Sequence, residues 1–290
     1  MKRIGYYPGC SLHATAVEFD TSLKAICQHF GIELVEIADW NCCGSSPAHN
    51  NDGFLAAALA GRNLVLAAEQ GLEELVAPCA SCFSRLKAAQ HDLEHNEAWR
   101  AELEKRLQAS YQSGVRIRSI LDFLHAVIGL DALRDRIVGP GLAGLKVASY
   151  YGCLFVRPQE ILGRQEQENP QEMDMVVNAL GGQAVDWPFK TECCGNSLAL
   201  ARPDVAQRAI KAILDAALGV ESDCIATACP LCHANLDMRQ GRQGLKMSRA
   251  LPVFYITQLV GLACGLPAKE LGVDQHLVST RSLLSAANLG

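Results

Sequence analysis

The same three cysteine groups occur twice in this chain, in the same order. The first half carries Tyr-Tyr-Pro-Gly-Cys10, then Cys42-Cys43-Gly44, then Cys79-Ala-Ser-Cys82. The second carries Tyr-Tyr-Gly-Cys153, then Cys193-Cys194-Gly195, then Cys229-Pro-Leu-Cys232. The gaps between groups are 31 and 34 residues in the first half, and 39 and 33 in the second. Three groups recurring with matched gaps indicate an internal duplication. The displacement of about 150 residues is the size of one domain. The chain of 290 residues is therefore expected to divide into residues 1–142 and 143–290.

Hydrophobic patterning repeats with the cysteines. Arg3–Tyr7 and Lys146–Tyr151 read as short strands that deliver Cys10 and Cys153 at their carboxyl ends. A helix is expected from His13 to Phe30, with Leu23, Ile26, Cys27 and Phe30 on one face and Gly31 as its stop. A second strand over Ile32–Ile37 leads into the Cys-Cys-Gly turn. Helices follow at Gly53–Gln70 and Pro203–Leu218, the second with Pro203 in its first turn and Gly219 as its cap. A third strand, Leu75–Ala77 or Cys224–Ala228, delivers Cys-x-x-Cys. Strands alternating with helices predict an α/β fold: two homologous domains, each a small, mostly parallel sheet flanked by helices. Ligands of such sheets gather at the strand carboxyl ends, where all three cysteine groups of each half fall. Residues 99–145 read as a helical extension and linker ending in Gly139-Pro140-Gly141, and the residues beyond Leu266 as a tail on this chain or a neighbour.

Composition narrows the chemistry. Thirteen cysteines in a 290-residue chain without a signal-like start suggest metal ligation or redox chemistry before structural disulfides. A net charge of −5 gives no reason to expect a nucleic-acid partner. The apolar stretch Val253–Leu266 falls short of the ~20 residues that span a bilayer, and reads as a buried helix. A cytoplasmic protein without membrane insertion is the expectation. Neither a P-loop nor a Gly-x-Gly-x-x-Gly fingerprint is present, so no nucleotide or flavin site is expected here.

Each half offers five thiols. A structural zinc site takes four ligands, usually in knuckle-like pairs, and vicinal cysteines suit that geometry poorly. Thiolates also suit iron–sulfur clusters, whose several metal atoms adjacent cysteines could contact separately. The glycine after each vicinal pair is expected to let the backbone approach such a cluster. Zinc in one or both sites, and metal-free thiol chemistry, stay open. The spacing does not match the ferredoxin run, so the chain is expected to receive electrons from a ferredoxin rather than be one.

These residues resemble the CCG-domain family, defined by Cys, Cys-Cys-Gly and Cys-x-x-Cys in that order. Within it the chain is similar to heterodisulfide reductase B-type subunits, including the bacterial form in sulfur-oxidising complexes, over about 240 residues. The resemblance implies two noncubane [4Fe–4S] clusters, with Cys10, Cys42, Cys43, Cys79 and Cys82 as ligands of the first. Cys153, Cys193, Cys194, Cys229 and Cys232 would be the ligands of the second. It also implies reversible cleavage of a disulfide held between the clusters, either a heterodisulfide or sulfur carried on a lipoyl protein. The implied partners are the ferredoxin-like C-type and flavin-containing A-type components of such a complex. An electron-transfer CCG component of a quinone-linked dehydrogenase, or a zinc-stabilised scaffold, are the competing expectations.

His13 and His49 lie near cluster cysteines and are weighed as proton donors, with His233 a weaker case; the plain alternative is loop hydrogen bonding or solvent. Arg157, Lys190 and Arg202 could hold an anionic substrate tail, though surface solvation is the simpler fate. Cys27, Cys224 and Cys264 fall in apolar segments and are expected to be buried hydrophobes.

Overall fold

The computed structural model describes residues 2–45, 48–164, 166–241, 245 and 247–289, with the side chain of His49 outside the described set. It contains two four-stranded sheets of one topology. In the first, β1 (Lys2–Tyr6), β2 (Ile32–Glu36), β3 (Glu74–Val76) and β4 (Arg116–Arg118) lie in the order β2-β1-β3-β4. In the second, β5 (Lys146–Tyr150), β6 (Gln183–Ala184), β7 (Cys224–Thr227) and β8 (Val253–Tyr255) lie in the order β6-β5-β7-β8. Every pairing is parallel. The crossovers are helices, as parallel pairing requires. They include Val17–His29 and Gly53–Glu69 in the first half, and Glu172–Ala179 and Pro203–Gly219 in the second.

The fourth strand of each sheet departs from the sequence expectation. Residues 99–145 hold more than a helical linker, because Arg116–Arg118 pairs with β3. An Arg-Ile-Arg strand three residues long leaves no apolar alternation to detect. Its side chains are held instead by Glu74, whose Oε1 accepts from Arg116 Nη1 at 2.8 Å and from Arg118 Nη2 at 2.6 Å. Residues 253–266 likewise begin as β8, and only Ile256–Ala263 is helical. The boundary is set by Gln258, whose side-chain oxygen accepts from the Tyr255 backbone N–H at 2.9 Å. Three smaller shifts occur elsewhere. The first long helix starts at Val17, after a separate turn over Gly9–Leu12. Gly219 is the last helical residue rather than the cap. The tail lies on this chain, where the Asp237 carboxylate accepts from the Leu277 and Val278 backbone N–H groups.

The two halves pack crosswise. The Val17–His29 helix of the first half lies against the Ile256–Ala263 helix of the second. There Phe19 and Tyr255 stack at 4.2 Å, with 8° between ring planes, and the Ser22 and Thr257 hydroxyls hydrogen-bond at 2.7 Å. The Glu172–Ala179 helix returns the arrangement by packing on Leu124–Ile128 and Leu130–Asp135 of the first half. His125 Nε2 sits 2.8 Å from the Glu172 carbonyl in that contact. One continuous apolar core results, running from Ile4 through Leu289.

Phe19 is fully buried at this junction. Phe19→Ala is expected to cost about 3–5 kcal/mol of stability, as for large aromatic truncations in cores. Denaturant unfolding measures it, and a loss below about 1 kcal/mol would show that the halves do not depend on this contact.

Candidate functional site

Three strands of each sheet deliver cysteine at their carboxyl ends. Beyond β1 the chain turns at Gly9, which has a φ of +64°, and reaches Cys10. Beyond β2 lies the Cys42-Cys43 loop. Beyond β3, Cys79 is the N-cap of the Ala80–His95 helix and Cys82 sits in its first turn. The second half repeats this, with Gly152 at φ +69° before Cys153 and Cys229 as the N-cap of Pro230–Met238.

The thiols converge. Cys43 Sγ lies 3.4 Å from Cys82 Sγ, and Cys194 Sγ lies 3.6 Å from Cys232 Sγ. Cys42 and Cys43, Cys79 and Cys82, Cys153 and Cys193, and Cys229 and Cys232 also act on each other's thiols. One further interaction joins the halves: Cys79 and Cys229 act on each other's thiols, pushing the first up and holding the second low. The two five-cysteine sites are therefore neighbours. In each site three thiols form a buried floor, Cys43, Cys79 and Cys82 or Cys194, Cys229 and Cys232. Cys10, Cys42 and Cys193 are exposed and Cys153 is half-buried, so each site has a mouth open to solvent.

Hydrogen bonding among the thiols favours thiolate at particular positions. Hydrogen bonds from Cys42 and then Cys82 hold the Cys43 thiol down at about 3. The Cys153 thiol holds Cys193 at about 6, and Cys232 with Cys79 keeps Cys229 low. Their partners Cys42, Cys82, Cys153 and Cys232 are pushed up by the same contacts and by burial.

Glycine makes room for these thiols at two further positions. A Cβ on Gly9 would lie 2.7 Å from Cys82 Sγ, and one on Gly152 2.9 Å from Cys232 Sγ. The glycines after the vicinal pairs are also tightly packed. Gly44 and Gly195 both have φ +73°, and a Cβ there would press on Leu59 or Ala206 of the following helix, each at 3.0 Å. They seat the loop on its helix. Two tyrosines not expected from the sequence complete the pattern. Tyr7 Oη donates to the Asn41 carbonyl at 2.8 Å, and Tyr150 Oη donates to the Glu192 carbonyl at 2.6 Å. Each stands three residues before the lone cysteine and holds the residue before the vicinal pair. That shared spacing was the available signal.

The donor set fits a thiolate-ligated cluster. Each half brings five soft sulfur donors to one strand edge, more than the four of a structural zinc site. Among the described residues no three His, Cys, Asp or Glu side chains are grouped as one metal ion would need.

Other candidates resolve differently. His13 is exposed, with Nε2 3.3 Å from Glu36 Oε1 and its ring edge-on to Trp40. The His49 side chain lies outside the described residues. His233 is buried against Tyr255, its Nε2 3.0 Å from the Val253 carbonyl, and burial lowers its pKa to about 3. Arg157 pairs with Glu168 and Arg202 with Asp204. Lys190 is buried, with Nζ 2.6 Å from both Asp174 Oδ2 and Asn169 Oδ1. Cys27, Cys224 and Cys264 are buried, and desolvation raises all three thiols, Cys27 to about 12 and Cys264 to about 11.

The cysteine-rich domain model of the CCG family matches residues 4–87 and 147–237, one copy over each sheet. The chain belongs to the CCG cysteine-rich domain family. It is 34% identical to the 8-methylmenaquinol:fumarate reductase membrane anchor subunit of Wolinella succinogenes, over 97% of this chain and 99% of that one. It is 27% identical to the B component of the ferredoxin/F420H2-dependent CoB-CoM heterodisulfide reductase of Methanosarcina acetivorans, over 98% and 97%. A hypothetical protein from Helicobacter pylori shares the fold, with a TM-score of 0.77 at 13% identity. That match covers 95% of this CCG chain, which spans 52% of the Helicobacter chain. No helix among the described residues is long and apolar enough to cross a membrane.

The buried Lys190–Asp174 pair assigns Lys190 to structure rather than to substrate binding. Lys190→Ala is expected to lower stability by roughly 3–5 kcal/mol, because it strands a buried carboxylate. Thermal unfolding checks this. A variant of unchanged stability but weakened substrate binding would return Lys190 to the site.

Proposed function

We propose that this chain is the iron–sulfur subunit of a reductase complex, in which two adjacent clusters exchange two electrons with a disulfide. The observation that carries the proposal is the matched pairing of vicinal-pair and Cys-x-x-Cys thiols in the two halves, Cys43 with Cys82 at 3.4 Å and Cys194 with Cys232 at 3.6 Å, with Cys79 and Cys229 interacting between them. Cys10, Cys42, Cys43, Cys79 and Cys82 would hold the first cluster, and Cys153, Cys193, Cys194, Cys229 and Cys232 the second. Bound there, two [4Fe–4S] clusters supply one electron each, matching the two-electron reduction of an S–S bond.

The chain's own residues provide the surroundings. The buried thiols form a floor closed to water, and the mouths at Cys10, Cys42, Cys153 and Cys193 are where a substrate from solvent first arrives. The reaction balances as one disulfide plus two electrons and two protons giving two thiols. A heterodisulfide or oxidised protein-bound lipoate fits this chemistry. The electrons come from a ferredoxin-like partner, which draws them from a flavin-containing one.

A second reading has its own support. The 34% identity to a fumarate reductase subunit, over nearly the whole of both chains, favours electron transfer to or from a quinol without a disulfide substrate.

One experiment separates the two. The anaerobically purified chain is reduced, then mixed with oxidised lipoamide, a mixed disulfide or a menaquinone analogue, while EPR and free thiols are followed. The proposal expects loss of the reduced signal with disulfide and two thiols formed per disulfide consumed. Reoxidation by the quinone alone would contradict it.

A further inference from the structure

The vicinal cysteines sit on loops that must hold two adjacent side chains toward one centre, and the two halves brace those loops differently. Tyr7 and Tyr150 are both fully buried, and each donates its phenol proton to the carbonyl just before its own Cys-Cys pair. Each ring also lies against the glycine that precedes the lone cysteine, 3.5 Å from the Gly9 Cβ position and 3.8 Å from that of Gly152. One side chain thus touches two of the three cysteine-bearing segments. The arrangement recurs in both halves, although Pro8 stands in the first where Tyr151 stands in the second.

The remaining bracing differs. In the first half the Asn41 carbonyl also accepts from Asn63 Nδ2 at 3.1 Å, and Asn63 Oδ1 accepts from the Asn41 N–H at 2.9 Å. Arg62 Nη1 adds a bond to Asn41 Oδ1 at 3.0 Å. In the second half the Glu192 carbonyl has no donor besides Tyr150 among the described residues. Asn235 Nδ2 holds the Cys194 carbonyl, two residues further on, at 3.0 Å.

We infer that Tyr7 and Tyr150 are positioning residues that hold each vicinal cysteine pair onto its cluster, and that the second cluster depends on its tyrosine more than the first. The inference rests on the proposal that both sites carry clusters. Residues that orient metal ligands typically matter by ~10–100-fold in metal affinity. Losing Tyr150 removes the only protein donor to the Glu192 carbonyl among the described residues, whereas losing Tyr7 leaves Asn63 on the Asn41 carbonyl.

The test uses the full chain, purified anaerobically, as wild type, Tyr7→Phe, Tyr150→Phe and Tyr7→Phe/Asn63→Ala. Iron release to a ferrous chelator, the EPR signature of the reduced protein and the unfolding temperature are measured on each. Tyr150→Phe is expected to release about half of the iron at least ~10-fold faster than wild type, with an altered EPR line shape for one cluster and little change in unfolding temperature. Tyr7→Phe is expected to release iron at close to the wild-type rate, and adding Asn63→Ala should bring the other half of the iron to the fast rate. A loaded wild type whose Tyr150→Phe variant keeps both its release rate and its EPR signature would overturn this inference alone. Equal acceleration of all the iron by either single change would overturn it too. A wild type that takes up no iron and sulfide would overturn the cluster proposal along with it.

Discussion

Everything in this chain depends on parallel strand pairing. Parallel strands need a crossover between each pair, so successive strands leave the sheet at the same edge. Residues more than thirty positions apart in sequence then come to the same edge. β1, β2 and β3 place three cysteine-bearing loops side by side, and β5, β6 and β7 do the same. Crosswise packing of the halves, through Phe19 on Tyr255, brings the two edges close enough for Cys79 and Cys229 to act on each other.

Duplication does not make the two halves equal. The residue after each Cys-x-x-Cys is Phe83 in one half and His233 in the other. Phe83 faces Phe155 across the junction, at 6.2 Å, while His233 stacks on Tyr255 at 4.2 Å. The vicinal loops are braced by Asn63 on one side and Asn235 on the other. Mouth exposure differs as well, since Cys10 is exposed and its counterpart Cys153 is half-buried. On the proposal that each half holds a cluster, these unequal surroundings would give the two different potentials, because hydrogen bonding and solvent exposure set cluster potentials.

The sequence was most informative where chemistry and periodicity coincide. The cysteine groups, the inner strands and the long amphipathic helices were legible because a duplicated motif fixes their spacing and an apolar stripe marks each helix. β4 and β8 were not. The first is three residues of Arg-Ile-Arg, stabilised by Glu74 from a neighbouring strand. The second is continuous with an apolar helix, so period alone could not divide them. The packing roles of the glycines were not legible either. Positive φ at Gly44 and Gly195 serves loop-to-helix packing, and the close approach to sulfur falls to Gly9 and Gly152. Such distinctions are tertiary, set by Leu59, Ala206, Cys82 and Cys232, which lie far along the chain. The same holds for Lys190, whose position beside the second vicinal pair suggests a substrate contact until Asp174 is seen to neutralise it.

The central claim is that two neighbouring clusters occupy the ten thiols. The most direct measurement is iron, zinc and acid-labile sulfide per chain after strictly anaerobic purification, on wild type and on Cys79→Ser/Cys229→Ser. The account predicts about eight irons and eight sulfides in the wild type, two four-iron clusters, with both sites impaired in the double variant. About one zinc per site with little sulfide would contradict it and leave the chain a metal-stabilised scaffold.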